Sequence, residues 1–183
     1  MGIRNKSPYT IGQLTYRVLW GAGSLLFRAI PRQMWFARAQ LLRFFGAKIG
    51  KNVRIYPNVK IFMPCLLSVG SDTTIGNSAE IYNLGIVRIG SRVTISQKCY
   101  LCAGSHKWRD PNMELIKSTI TISDDVWLAA DVFIGPKVTI GVGTIVGARC
   151  TVMTSIPDNK ILKSIAPNIE ENNRDQDYYN NTN

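Results

Sequence analysis

One histidine, His106, serves the whole chain of 183 residues, and no carboxylate occurs before Asp72. A metal centre built from several histidines is therefore excluded. No apolar run approaches the roughly 20 residues that a membrane-crossing helix needs. The longest, Val18–Phe27, is too short, and no convincing signal-peptide cleavage site accompanies it. The chain has four cysteines, at positions 65, 99, 102 and 150, which suits a reduced, cytoplasmic protein. The missing acid is an imbalance as well as an absence. Residues 1–71 hold 11 Lys and Arg, while residues 72–183 hold 11 basic and 12 acidic residues, so the net charge of +10 is entirely N-terminal. Charge alone would permit nucleic-acid binding, but no recognised module supports it, and none is expected.

What the sequence does contain is a period. Ile122, Leu128, Ile134, Ile140, Val146 and Val152 follow one another at steps of six. Two residues before them stand Ile120, Val126, Val132, Val138, Thr144 and Cys150, which are β-branched or small. Earlier, Ile49–Ile55–Ile61, Val69–Ile75–Ile81 and Ile89–Ile95–Leu101 keep the same step, with a step of eight between triplets. A helix would space apolar residues by three and four, and a half-buried strand would alternate. A period of six suits short β segments joined by tight corners, three to a coil, stacked as a solenoid. Glycines such as Gly135, Gly141 and Gly147, just after the large residue, are expected to ease the corners through positive φ.

Between Leu101 and Ile122 the step is 21, an arm of 15 extra residues that includes His106 near its base. All interruptions follow a third segment, so they leave from one corner. Cys99 and Cys102 form a C-x-x-C, but the frame puts Cys99 inward and Cys102 beyond the large inward residue. No metal is expected there.

The hexads and the run GSHKW…ITISDDVWLAADVFIGPKVTIGVGTIVGARCTV resemble the left-handed parallel β-helix, or hexapeptide-repeat, acyltransferases. LLRFFGAKIGKNVRIYPNVKI, ISQKCYLCAGSH and DVFIGPKVTIGVGTIVGAR are similar to the WcaF-like colanic acid and polysaccharide O-acetyltransferases within them. The resemblance spans roughly residues 11–160. It implies an all-β solenoid with a left hand, an N-terminal α-helical cap and a long arm after the third coil. It also implies a homotrimer with acetyl-CoA in a cleft between two prisms. Zinc carbonic anhydrases of hexapeptide-repeat type use three histidines, and one histidine excludes that chemistry.

The implied reaction is acetyl transfer to a sugar hydroxyl in surface polysaccharide assembly. A hydroxyl becomes a good nucleophile when its proton is taken. Imidazole, with a reference pKa of ~6.5, suits that task near neutral pH, so His106 is the expected general base. The Ala130 N–H stands where the family's oxyanion donor lies. Ala129, Ala130 and Ala148 are expected along the coenzyme, and Trp127, pointing outward, packs either there or at a subunit interface. Thr154 replaces the family's lysine there, with Lys160 or Lys163 as substitutes for its phosphate contacts. Glu80, Tyr82, Asn83 and Trp108 are the acceptor-side candidates; Glu80 stands where relatives place an asparagine, and either orients His106, binds the sugar or is a solvated carboxylate. The alternatives are N-acetylation of an amino sugar and a non-catalytic hexapeptide scaffold.

The domain reading is a basic helical segment at 1–48, the β-helix at 49–167 with its arm at 103–118, and a polar tail at 168–183 expected to be disordered. Pro31 divides the first segment into two helices. In the second of these, Trp35, Ala39, Leu42 and Phe45 share a face, with Arg38 and Arg43 off it. The helices are expected to cap the prism. Peripheral contact of residues 11–45 with an anionic membrane, at the inner face where a lipid-linked acceptor would be found, is the second role.

Overall fold

The computed structural model describes residues 9–164; the tail at 168–183 lies outside them. Two helices, α1 (Ile11–Ala29) and α2 (Trp35–Phe44), precede a left-handed parallel β-helix. Its three faces carry five, six and five strands. The first runs through Lys48–Ile49, Leu67–Val69, Val87–Ile89, Ile120–Ile122 and Thr139–Ile140. The second runs through Arg54–Ile55, Thr74–Ile75, Thr94–Ile95, Trp127–Leu128, Ile145–Val146 and Ile161–Leu162. The third takes Lys60–Ile61, Glu80–Tyr82, Tyr100–Cys102, Phe133–Ile134 and Thr151–Val152.

Every hexad residue named above from Ile49 to Val152 is buried. In register, Ile55 lies over Ile75, Ile75 over Ile95, and Leu128 over Val146. The core is thus a column of aliphatic side chains running the length of the prism. The stack also continues two positions further than the hexads suggest. Ile156 bridges to Ile140 and Leu162 pairs with Val146, beginning a sixth coil after a corner two residues shorter than the rule.

The corners correct one expectation. Gly135, Gly141 and Gly147 do not carry positive φ. The left-handed residue lies three places after the large one, and it is Asn52, Asp72, Ser78, Arg92, Lys98, Asp125, Asp131, Lys137, Gly143, Arg149 or Asn159. Asn, Asp and Gly tolerate this region well, and the others accept a modest cost fixed by the coil. Glycine is needed instead for close approach: a Cβ at Gly141 would lie 2.4 Å from the Asp158 N of the next coil.

The helices close the N-terminal end by hydrogen bonding as well as burial. Within the stack, Gly50, Tyr56 and Phe62 N–H groups donate to Val69, Ile75 and Ile81 in the coil above. Carbonyls at the hexad position therefore point downward, and those of the first coil have no coil beneath them. Each meets a side chain from the helices. Arg43 donates to Ile49 O at 2.8 Å, Arg38 to Ile55 O at 2.7 Å and Trp20 Nε1 to Ile61 O at 2.7 Å, one donor per face. Arg38 was expected off the buried face of α2, but it is fully buried. Its remaining donors reach Ile30, Pro31 and Arg32 carbonyls at 2.6–2.8 Å, holding the turn between the helices. Burial pulls its pKa below the ordinary arginine value. Four carbonyl dipoles stand in for water around a charge that stays on.

Candidate functional site

The three interruptions leave from the corner between the third and first faces. The first contains a short turn at Pro64–Leu66, the second runs through Asn83–Ile86, and the third is the arm. The arm is a β-hairpin. Strand Gly104–His106 pairs antiparallel with Leu115–Lys117, placing His106 opposite Leu115. Asp110 caps the tip through Asn112 N–H at 2.9 Å, and Met113 takes φ 51 there. A Lys107–Glu114 ion pair joins the strands beside the histidine.

His106 is exposed, and its Nδ1 lies 2.7 Å from the Met113 carbonyl oxygen. A carbonyl only accepts, so Nδ1 must carry the proton. In the neutral imidazole that leaves the lone pair on Nε2, the arrangement a general base requires. Met113 was not singled out from the sequence. The contact uses its backbone oxygen, which no residue identity announces.

The second half of the site is an edge. At the corner between the first and second faces, side chains of one coil seal exposed N–H groups of the coil before it. Ser71 Oγ accepts from Lys51, Ser91 Oγ from Ser71, Asp124 Oδ1 from Ser91 and Asp158 Oδ1 from Val142. At the corner between the second and third faces the corresponding positions include Gln97, Ala130 and Ala148. An alanine cannot seal the coil before it. The Ala129 and Asp131 N–H groups are used, by Val146 O and Gln97 O, whereas those of Gln97, Ala130 and Ala148 make no hydrogen bond among the described residues. This edge is a row of unpaired donors, suited to the amide carbonyls of an extended chain or to an oxyanion. Gln97 was missed from the sequence.

Ala129, Ala130, Ala148 and Lys163 lie along this edge. The structure separates two of the other three coenzyme candidates, Thr154 and Lys160, from them. Thr154 is exposed at the corner from which the arm leaves, and Lys160 precedes Ile161 at the sealed corner, where its N–H meets Thr144 Oγ1 at 3.3 Å. Trp127 faces outward as expected, about half exposed, with Nε1 donating to Ser96 Oγ at 3.1 Å.

The acceptor-side residues also divide. Asn83 is fully buried and cannot meet a substrate. Its amide takes the Met63 N–H at 2.9 Å and donates to Met63 O at 2.6 Å, tying the first two interruptions together. Glu80 does not orient His106; it pairs with Lys60 at 3.1 Å on the outer third face. Tyr82 belongs to a ladder of rings on that face, 5.0 Å from Phe62 and 6.4 Å from Tyr100, with Phe133 5.5 Å beyond Tyr100. Burial raises the Tyr82 hydroxyl above its ordinary range and pushes Tyr100 up to about 12, so both are neutral donors. Trp108 is exposed at the hairpin tip with the Arg109 guanidinium 4.4 Å from its ring centroid. Burial pushes the Cys99 thiol up to about 11, an inert thiol, and no metal-holding cluster exists among the described residues. A groove of about 780 Å³ lies between α2 and the second face, lined by Trp35, Phe36, Arg43, Lys51 and Arg54 rather than by His106.

The arm is rooted by a backbone bond, Ser118 N to Ala103 O at 2.8 Å, packed onto Gly85 of the previous interruption. A Cβ at Gly85 would lie 2.1 Å from Ser118 O. Gly85→Ala is expected to destabilise the protein by about 1–3 kcal/mol, as overpacking does, and to lower turnover by displacing the hairpin that carries His106. Gly21→Ala, with open space around its Cβ, is the control. Thermal unfolding and turnover, measured together, check this.

No family profile matches the chain. Among related proteins, WcaF of Escherichia coli (strain K12), named as a colanic acid biosynthesis acetyltransferase, is 44% identical over 144 residues, covering 79% of each chain. The galactoside O-acetyltransferase of the same strain is 32% identical over 153 residues, 78% of this chain and 72% of that one. Among solved structures, a galactoside acetyltransferase in complex with coenzyme A superposes with a TM-score of 0.80 at 25% identity, covering 93% of this chain and 88% of the other. With its six-residue repeats and its helical cap, the chain belongs to the hexapeptide-repeat acetyltransferases that include WcaF and the galactoside O-acetyltransferase.

Proposed function

We propose that this acetyltransferase moves an acetyl group from acetyl-CoA to a sugar hydroxyl of a surface-polysaccharide precursor, by direct attack with His106 as general base. The observation that carries the reading is the His106 Nδ1–Met113 O contact of 2.7 Å, which leaves the lone pair of the neutral ring on Nε2. Nε2 takes the proton of the acceptor hydroxyl as its oxygen bonds to the thioester carbon. The negative charge that develops on the carbonyl oxygen meets an N–H of the open edge, for which Ala130 is the assigned donor. The carbon–sulfur bond then breaks, and the imidazolium returns its proton to the departing CoA thiolate. No acyl-enzyme is formed.

The open edge and the histidine lie on opposite sides of the third face of one chain. A face of about five or six residues spans roughly 15–20 Å at ~3.3 Å per residue. This separation supports a site shared by neighbouring copies in a homotrimer, with the arm of one closing over the edge of the next. Ala129, Ala130, Ala148 and Lys163 would then hold the coenzyme, with Trp127 beside it, while Tyr82, Trp108 and Glu80 are the groups left to recognise the acceptor.

The test is release of CoA thiol from acetyl-CoA with a panel of sugars, amino sugars and nucleotide- or lipid-linked precursors. Ester formation with a hydroxyl acceptor is the expected result. Transfer confined to amines would replace the reading by N-acetylation, and failure to bind acetyl-CoA would remove it.

A further inference from the structure

The outer face of α1 is apolar where a surface helix is ordinarily polar. Trp20, Gly23 and Phe27 are the buried residues of the helix. On the opposite side stand Ile11, Val18 and Leu25, exposed by 84%, 74% and 67%, flanked by Leu14, Leu19 and Leu26. At 3.6 residues per turn these six side chains fill an arc of roughly 140°, which includes Ala22 and Ala29 and only one polar residue, Thr15. Gln13, Arg17, Ser24 and Arg28 fall on one flank.

The charge around this stripe selects its partner. Residues 1–71 contain 11 cations and no carboxylate. Among the described residues, the one ion pair made by a cation of this stretch is Lys60–Glu80. The other carboxylates in the described ion pairs are engaged within the prism or its arm: Asp124 and Asp125 with Arg92, Asp131 with Arg149, and Glu114 with Lys107. A second copy carries the same net charge of +10, so it brings more cation than acid to this end. A soluble polyanion would answer the charge but leave the leucines in water. An anionic bilayer answers both, since apolar side chains enter the acyl boundary while cations meet headgroup phosphates. No helix among the described residues is long and apolar enough to cross a membrane, so α1 would lie in the surface plane.

We infer that the outer stripe of α1, centred on Ile11, Val18 and Leu25, docks the enzyme peripherally on an anionic phospholipid surface. The inference is independent of the acceptor, and its test needs no turnover. The full chain is sedimented with phosphatidylcholine vesicles with and without phosphatidylglycerol. Binding to the anionic vesicles is expected, falling about tenfold or more without phosphatidylglycerol or in high salt. The pair Val18→Ser and Leu25→Ser adds no charge, touches no buried residue and should abolish binding with unchanged thermal unfolding and oligomeric size. Val18→Asp with Leu25→Asp serves as a second variant. The inference is overturned if the wild type stays in solution with anionic vesicles, or if both folded variants bind as it does. It is overturned equally if the variants dissociate the oligomer, because the stripe then joins copies of the chain, or if retention on a soluble polyanion survives when vesicle binding is absent.

Discussion

His106→Ala is expected to lower acetyl transfer by about 10²–10⁴-fold, the usual contribution of a positioned acid–base group. Acetyl-CoA binding and thermal unfolding should be unchanged. His106 is exposed on a hairpin, and its one side-chain hydrogen bond among the described residues is to Met113 O within that hairpin, so the prism does not depend on it. The open edge that would hold the coenzyme is formed by backbone N–H groups on other coils. Partial rescue by added imidazole would separate loss of the base from a disturbed arm. A variant retaining transfer within threefold would remove His106 from the mechanism.

The second large effect is on stability. Arg38→Met removes the donors of four backbone carbonyls at once, those of Ile30, Pro31, Arg32 and Ile55. A buried acceptor left unpaired costs about 1–3 kcal/mol. Three of the four are only partly buried and regain some water, so the expected loss is about 3 kcal/mol or more, or roughly 6–12 °C in Tm at this chain length. Arg38→Lys should recover less than half of it. A lysine presents three donors from one point and cannot span carbonyls that a planar guanidinium reaches on several sides. A melting shift under about 2 °C in the Met variant would show that α2 caps the prism by apolar contact alone.

These two residues mark what was legible and what was not. The histidine was conspicuous in the sequence because it stood alone where a six-residue period broke. Its role as base needed one further fact, the carbonyl that fixes its tautomer, and that carbonyl belongs to a backbone position any residue could supply. Arg38 was misleading. An arginine off the apolar face of a helix reads as solvated, and nothing local contradicts that reading. Its burial follows from the first coil, whose downward carbonyls have no coil below them. Asn83 misled in the same way: a polar residue near the arm reads as a substrate contact, while its amide is spent on Met63.

The sequence by itself determined the prism, the three faces, the common corner of the interruptions and the chain's overall chemistry. Each of these follows from a repeating local choice of which side chain points inward, and a six-residue period records that choice in the order of residues. Only the tertiary structure decided which corner stays open, which donors close the end of the stack and which tautomer His106 adopts. Those depend on what the neighbouring coil, helix or strand places within hydrogen-bonding distance. Serines and aspartates seal one edge and alanines leave another unsealed, but which edge each of them faces is known only once the coils are stacked.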